Sequence, residues 1–124
     1  MLLSSLTRRA LGAALILAGL GGAAQADNLV WTFSSTHPNI VDLEFYSQDR
    51  NHVWPGNGQV YYIDDYNMHT YNLNCYSGEK ICYGAWVRGA SATYWGVGPN
   101  NSQFCPDCCY TCGAGNVGAI NLKP

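Results

Sequence analysis

The densest chemistry in the chain lies in Cys105-Pro106-Asp107-Cys108-Cys109-Tyr110-Thr111-Cys112, where two Cys-x-x-Cys units abut. Four thiolates at this spacing can ligate zinc or another soft ion. Oxidised, the same residues can pin a glycine-rich loop through local disulfides. Structural zinc sites usually separate their two ligand pairs by about a dozen residues or more. Abutting pairs are hard to wrap around one tetrahedron, so the spacing favours disulfides, with a metal site on Cys105, Cys108, Cys109 and Cys112 as the alternative. Cys75 and Cys82 bring the total to six cysteines. An even count suits an oxidising compartment and three bridges, although six cysteines allow fifteen pairings. If Gly78-Glu79 forms a two-residue type II′ hairpin turn, Cys75 faces Cys82 across it. Their Cα atoms would then lie about 5.5 Å apart or less, within disulfide range. No βαβ pattern surrounds the Cys-x-x-Cys units, which argues against a thioredoxin-like redox role.

The other groups able to do chemistry are scattered. His37, His52 and His69 fall in three different loops or loop edges. With Asp64, Asp65 and Glu79 they could build a metal or acid–base site, but nothing in their spacing demands one. Asp42, Glu44, Asp64, Asp65 and Glu79 could supply a carboxylate pair for glycoside hydrolysis, which needs a specific separation across a sugar. No Gly-x-Ser-x-Gly nucleophile elbow is present. No catalytic set and no cofactor is indicated.

Aromatic residues are the stronger signal. The four Trp, nine Tyr and three Phe all fall after residue 26. Trp31, Phe33, Phe45, Tyr71 and Trp86 sit at apolar-face positions and are expected in the core. Tyr61-Tyr62 and Tyr94-Trp95 are adjacent pairs, so one member of each should point outward from a regular strand. Trp54 precedes Pro55-Gly56 in a loop, and Tyr66 lies near a turn. Flat rings with polar tips suit recognition of sugars or protein partners. Trp54, Tyr62, Tyr66, Tyr94 and Trp95 are therefore the candidate binding-surface residues.

Positioning these groups falls to short strands. Ile40 to Tyr46 alternates Val41, Leu43 and Phe45 with Asp42, Glu44 and Tyr46, the mark of a strand with one dry and one wet face. Leu29, Trp31 and Phe33 keep the same rhythm within 28–35, and 36–39 is a turn closed by Pro38. Further strands are expected over 59–63, 69–75, 80–87, 92–97 and 117–122. The segments 49–58 and 99–115 read as loops. No stretch shows a helical period. About seven short strands broken by Gly, Pro and Asn predict an all-β fold, a small antiparallel β-sandwich with a disulfide-rich C-terminal loop.

The first 26 residues have the composition of a cleavable export signal. Arg8 and Arg9 are followed by an uncharged run from Ala10 to Gly22, then Ala24-Gln25-Ala26, a small-x-small cleavage pattern. The run is about 13 residues, too short for the roughly 20 that span a bilayer. Thr7-Arg8-Arg9-Ala10-Leu11 resembles a twin-arginine export signal, which implies that the domain crosses the membrane already folded. The expected mature domain is 27–124, with no membrane span after cleavage. Four cations (Arg50, Lys80, Arg88, Lys123) then face eight acids, a net charge of −4. That balance lacks the basic footprint of a nucleic-acid binder, and one domain is all the length holds. The expectation is a non-enzymatic binding or structural module of the bacterial periplasm or cell exterior. Its partner would be a glycan, an envelope component or a protein. An exported metal-binding protein and a small hydrolase are the alternatives.

Overall fold

The computed structural model describes residues 25–124; the proposed leader lies almost wholly outside them. Two β-sheets pack face to face. Strands β1 (Ala26–Ser35), β2 (Val41–Ser47), β3 (Val53–Trp54), β4 (Tyr61–Ile63), β5 (His69–Tyr76), β6 (Lys80–Val87), β7 (Ala90–Gly96), β8 (Cys109–Thr111) and β9 (Ile120–Leu122) follow in order. Two 3-10 turns, Pro99–Asn101 and Pro106–Cys108, precede β8. The smaller sheet runs β5-β1-β9, with β1 antiparallel to β5 and parallel to β9. The larger sheet runs β3-β2-β6-β7. Strand β4 pairs with β2 over Val41–Leu43, on the edge that β3 uses at Phe45 and Tyr46. Strand β8 likewise pairs with β6 beside β7.

Alternation drives this arrangement. Leu29, Trp31 and Phe33 of β1, with Leu73 of β5, meet Val41, Leu43 and Phe45 of β2, with Ile63, Ile81 and Ala85. All are at most 1% exposed. Each fully buried apolar side chain of this size is worth roughly 1.5–3 kcal/mol. Trp31 packs 5.0 Å from Phe45, and Phe33 packs 5.0 Å from Tyr83. The all-β sandwich is as expected, with two additions. The two-residue β3 lies inside the segment read as the 49–58 loop, and β8 lies inside 99–115. Both are too short to show a period and form because β2 and β6 offer free edges.

The expected Cys75–Cys82 hairpin does not form. Strand β5 pairs with β1 in the smaller sheet, whereas β6 pairs with β2 in the larger one. The turn between them is Tyr76-Ser77-Gly78-Glu79, closed by the Glu79 N–H donating to the Tyr76 carbonyl at 2.9 Å. Gly78 is its third residue at φ 86°, a type II rather than a type II′ geometry. The chain thus changes sheets here instead of folding back on itself. The bridges are Cys75–Cys112, Cys82–Cys109 and Cys105–Cys108. No cysteine is free, so the four thiolates that the metal alternative needs are not available.

Each bridge has a definite place. Cys75–Cys112 ties β5 of one sheet to the segment after β8 of the other, inside the main core. Cys82 and Cys109 are direct cross-strand neighbours in β6 and β8. Cys105–Cys108 tightens the approach to β8.

Glu79, placed by the sequence in a turn and among the candidate carboxylates, is buried at 4% exposure. It accepts hydrogen bonds from Ser47 Oγ, from Arg50 Nε at 2.6 Å and Nη2 at 3.1 Å, and from the Tyr76 N–H at 3.0 Å. The Arg50 guanidinium also stacks 4.0 Å over Tyr76. Burial pushes the Glu79 carboxyl up, but hydrogen bonds from Arg50, Ser47 and the Tyr76 N–H outweigh it and hold the pKa at about 2. This network fastens the β2–β3 loop to the β5–β6 turn.

Candidate binding face

The outer face of the larger sheet collects side chains that the core does not take. Register places four of them in one lateral row. Tyr62 pairs with Asp42, Asp42 with Trp86, and Trp86 with Tyr94. Residues directly opposite one another project from the same face. Val41 and Leu43 point inward, so the row points outward. Four strands at about 4.8 Å spacing make it roughly 14 Å long.

Trp86, expected in the core, belongs to neither buried cluster and is half-buried on this face. The inward positions of β6 are Ile81, Tyr83 and Ala85, which share the main core with the rings of Trp31, Phe33 and Phe45. Tyr62 is 52% and Tyr94 43% exposed. Arg88 lies 5.0 Å over the Tyr62 ring and donates to Asp42 Oδ1 from Nε at 3.0 Å and from Nη2 at 2.8 Å. The guanidinium covers the Asp42 carboxylate and fixes one side of the row.

The other half of the outer face is roofed. Tyr46, Cys82 and Val97 form a small second core, with Val53, Cys105 and Cys109 against it. The roof is the segment after β7, held down by the Cys82–Cys109 and Cys105–Cys108 bridges. Its edge rests on Gly84: a Cβ there would collide with the Gly98 carbonyl and come within 2.9 Å of Tyr46 Cε2. The Asn100 N–H donates to Tyr46 Oη at 3.0 Å, and Tyr46 Oη donates to Glu44 Oε1 at 3.2 Å. Glu44, Tyr46, Arg50, His52, Asn100 and Asn101 thereby line a cleft of about 320 Å³ beside the open row. Burial raises the Glu44 pKa, opposed by the Tyr46 hydrogen bond and assisted by the Asp42 charge. Burial and the neighbouring Glu44 push the Tyr46 phenol well above its ordinary value.

The sequence-derived candidates divide. Tyr62 and Tyr94 are in the row. Trp95, from the same adjacent pair as Tyr94, turns inward against the core and donates from Nε1 to the Lys123 carbonyl at 2.8 Å. Trp54 is only 7% exposed, because β3 pairs with Phe45 of β2 and carries the ring into the core, where Nε1 donates to the Asn74 carbonyl at 3.0 Å. Tyr66 is 69% exposed but stands apart, in the β4–β5 turn with His37, Asp64 and Asp65. The row's central ring, Trp86, is not among the sequence-derived candidates, although strict alternation from Ile81 turns it outward.

The histidines do not converge. His37 packs edge-on to Trp95, His52 packs edge-on to Trp54, and His69 Nε2 lies 2.7 Å from Asp65 Oδ1. That contact holds the Asp65 carboxyl below the usual range, with the Asn67 N–H assisting. Among the described residues no group of three His, Cys, Asp or Glu side chains could hold a metal ion. Nor is any helix among them long and apolar enough to cross a membrane. Comparison with protein-family models, curated proteins and solved structures returns no match.

Proposed function

We propose that this chain is an exported, disulfide-stapled β-sandwich that binds carbohydrate on the outer face of its larger sheet. The observation that carries the reading is the Tyr62–Asp42–Trp86–Tyr94 row. Pyranose rings present flat C–H faces edged by hydroxyls. Aromatic rings offer the complementary apolar surface with polar tips. Arg88, held over Tyr62 by the buried Asp42, adds a planar donor suited to ring hydroxyls. A row roughly 14 Å long matches a short oligosaccharide better than a single sugar. Export is supported by the signal-like first 26 residues and by six cysteines all paired.

The test is a titration of the mature domain with neutral oligosaccharides and with insoluble polysaccharide, read by tryptophan fluorescence and co-sedimentation. Trp86→Ala should weaken binding at least tenfold, as expected for losing a central aromatic contact. Retained affinity in Trp86→Ala, or no carbohydrate bound by the parent protein, refutes the reading.

A further inference from the structure

The cleft beside the row has a charge pattern that selects among sugars. Glu44 is the one carboxylate lining it, and Arg50 is the one permanent cation. Arg50 is already paired: its Nε and Nη2 edge binds the buried Glu79 and its face lies on Tyr76, so its charge is largely spent on that carboxylate. Ser47, Asn51, Asn100 and Asn101 add only uncharged polar groups. In the row itself, Arg88 is paired with Asp42. Glu44 is thus the cleft's carboxylate and makes no ion pair among the described residues, whereas Asp42 is paired with Arg88 and the exposed Asp64 lies near that same guanidinium.

Glu44 is also held in place. The Asn100 N–H occupies the Tyr46 oxygen as acceptor, which directs the Tyr46 O–H toward Glu44 Oε1. No hydrogen bond is made to Oε2 among the described residues, and the side chain is half-buried. Glu44 stands two residues from Asp42 on the same face of β2, about 7 Å along the strand. The half-width of a sugar ring stacked on Trp86, its in-plane substituent and a hydrogen bond of about 2.9 Å to the Glu44 carboxylate together cover that distance.

Resting on the carbohydrate-binding reading, we infer that the preferred ligand is an oligosaccharide of amino sugars with free ammonium groups, one of which is received by Glu44 at the mouth of the Tyr46–Asn100 cleft. Ring stacking on the row would be shared by neutral sugars. The ammonium adds a charge-assisted hydrogen bond to a carboxylate already partly withdrawn from water. Anionic sugars would meet Glu44 and be disfavoured. A free ammonium also suits an aromatic neighbour electrostatically.

The experiment compares glucosamine oligomers with N-acetylglucosamine and glucose oligomers of the same length, by calorimetry on the mature domain. The parent protein should prefer the free-amine oligomer about tenfold. Glu44→Gln should bring the ratio of affinities close to one, while Asp107→Asn, an exposed acid of the roof that lines neither the cleft nor the row, should leave the preference intact. Equal binding of all three oligomers by the parent protein overturns this inference and leaves the carbohydrate reading standing. So does a preference that survives Glu44→Gln or that vanishes equally in Asp107→Asn. Binding of none of them, by parent or variants, overturns both.

Discussion

Protonating or neutralising Glu79 should unfasten the β2–β3 loop from the β5–β6 turn. The carboxyl titrates at about 2 in the folded protein against an ordinary value of 4.5. At 1.36 kcal/mol for each unit, that difference corresponds to about 3 kcal/mol of stability. The folded pKa is the lower of the two, so the contribution is complete above about pH 4.5 and disappears as pH falls to about 2. Three of the four hydrogen bonds to Glu79 come from side chains, two of them from Arg50. Glu79→Gln keeps the shape and gives up the charge. Urea unfolding with the disulfides intact, measured from pH 7 to pH 2, gives the comparison. Glu79→Gln should be less stable than the parent by about 3 kcal/mol near neutral pH, and the two curves should converge toward pH 2. A constant gap across that range, or no gap at all, would refute the assignment of Glu79 as the charged fastener between the sheets.

The disulfides should differ in worth with the loops they close. By chain entropy, Cys75–Cys112, with a separation of 37, and Cys82–Cys109, with 27, are each worth about 3.5–4 kcal/mol, against about 1.5 for Cys105–Cys108, with 3. Paired serine replacements followed by thermal denaturation should rank them in that order. Gly84→Ala should displace the Gly98 edge of the roof and cost about 1–3 kcal/mol in chemical denaturation. A substitution at Gly118, where an added Cβ meets nothing, is the control and should leave stability within about 0.5 kcal/mol.

What the sequence disclosed followed from local periodicity. Val41, Leu43 and Phe45 announced β2, and Leu29, Trp31 and Phe33 announced β1, because a half-buried strand must alternate. Adjacency required one ring of each pair, Tyr61-Tyr62 and Tyr94-Trp95, to turn outward, and register with β2 and β6 makes them Tyr62 and Tyr94. What stayed hidden depended on contacts distant in the chain. Strands β3 and β8 exist only because β2 and β6 have edges to offer. Cys75 and Cys82 lie on either side of a turn, yet their partners come from 109–112, since the chain crosses between sheets at Gly78. Glu79 is charged and sits in a turn, which reads as solvent until Arg50, Ser47 and Tyr76 arrive from elsewhere. Trp86 reads as an apolar-face position, but parity from Ile81 along β6 governs, and its neighbour Ala85 takes the inner position. The cysteine cluster proved to be structural in a specific way: it fastens the roof whose edge forms one wall of the cleft.

The four indole N–H groups provide the most direct test of the binding face, because they occupy four distinct places. Trp31 is in the core, Trp54 donates to the Asn74 carbonyl, Trp95 donates to the Lys123 carbonyl, and Trp86 stands in the outer row. A nitrogen–proton correlation spectrum of the labelled mature domain, titrated with a free-amine glucosamine oligomer, reads all four at once. The account predicts that the Trp86 indole resonance moves with saturating ligand while those of Trp31 and Trp54 stay in place. A titration in which Trp86 is unmoved, or in which binding perturbs Trp54 or Trp31 instead, would contradict it.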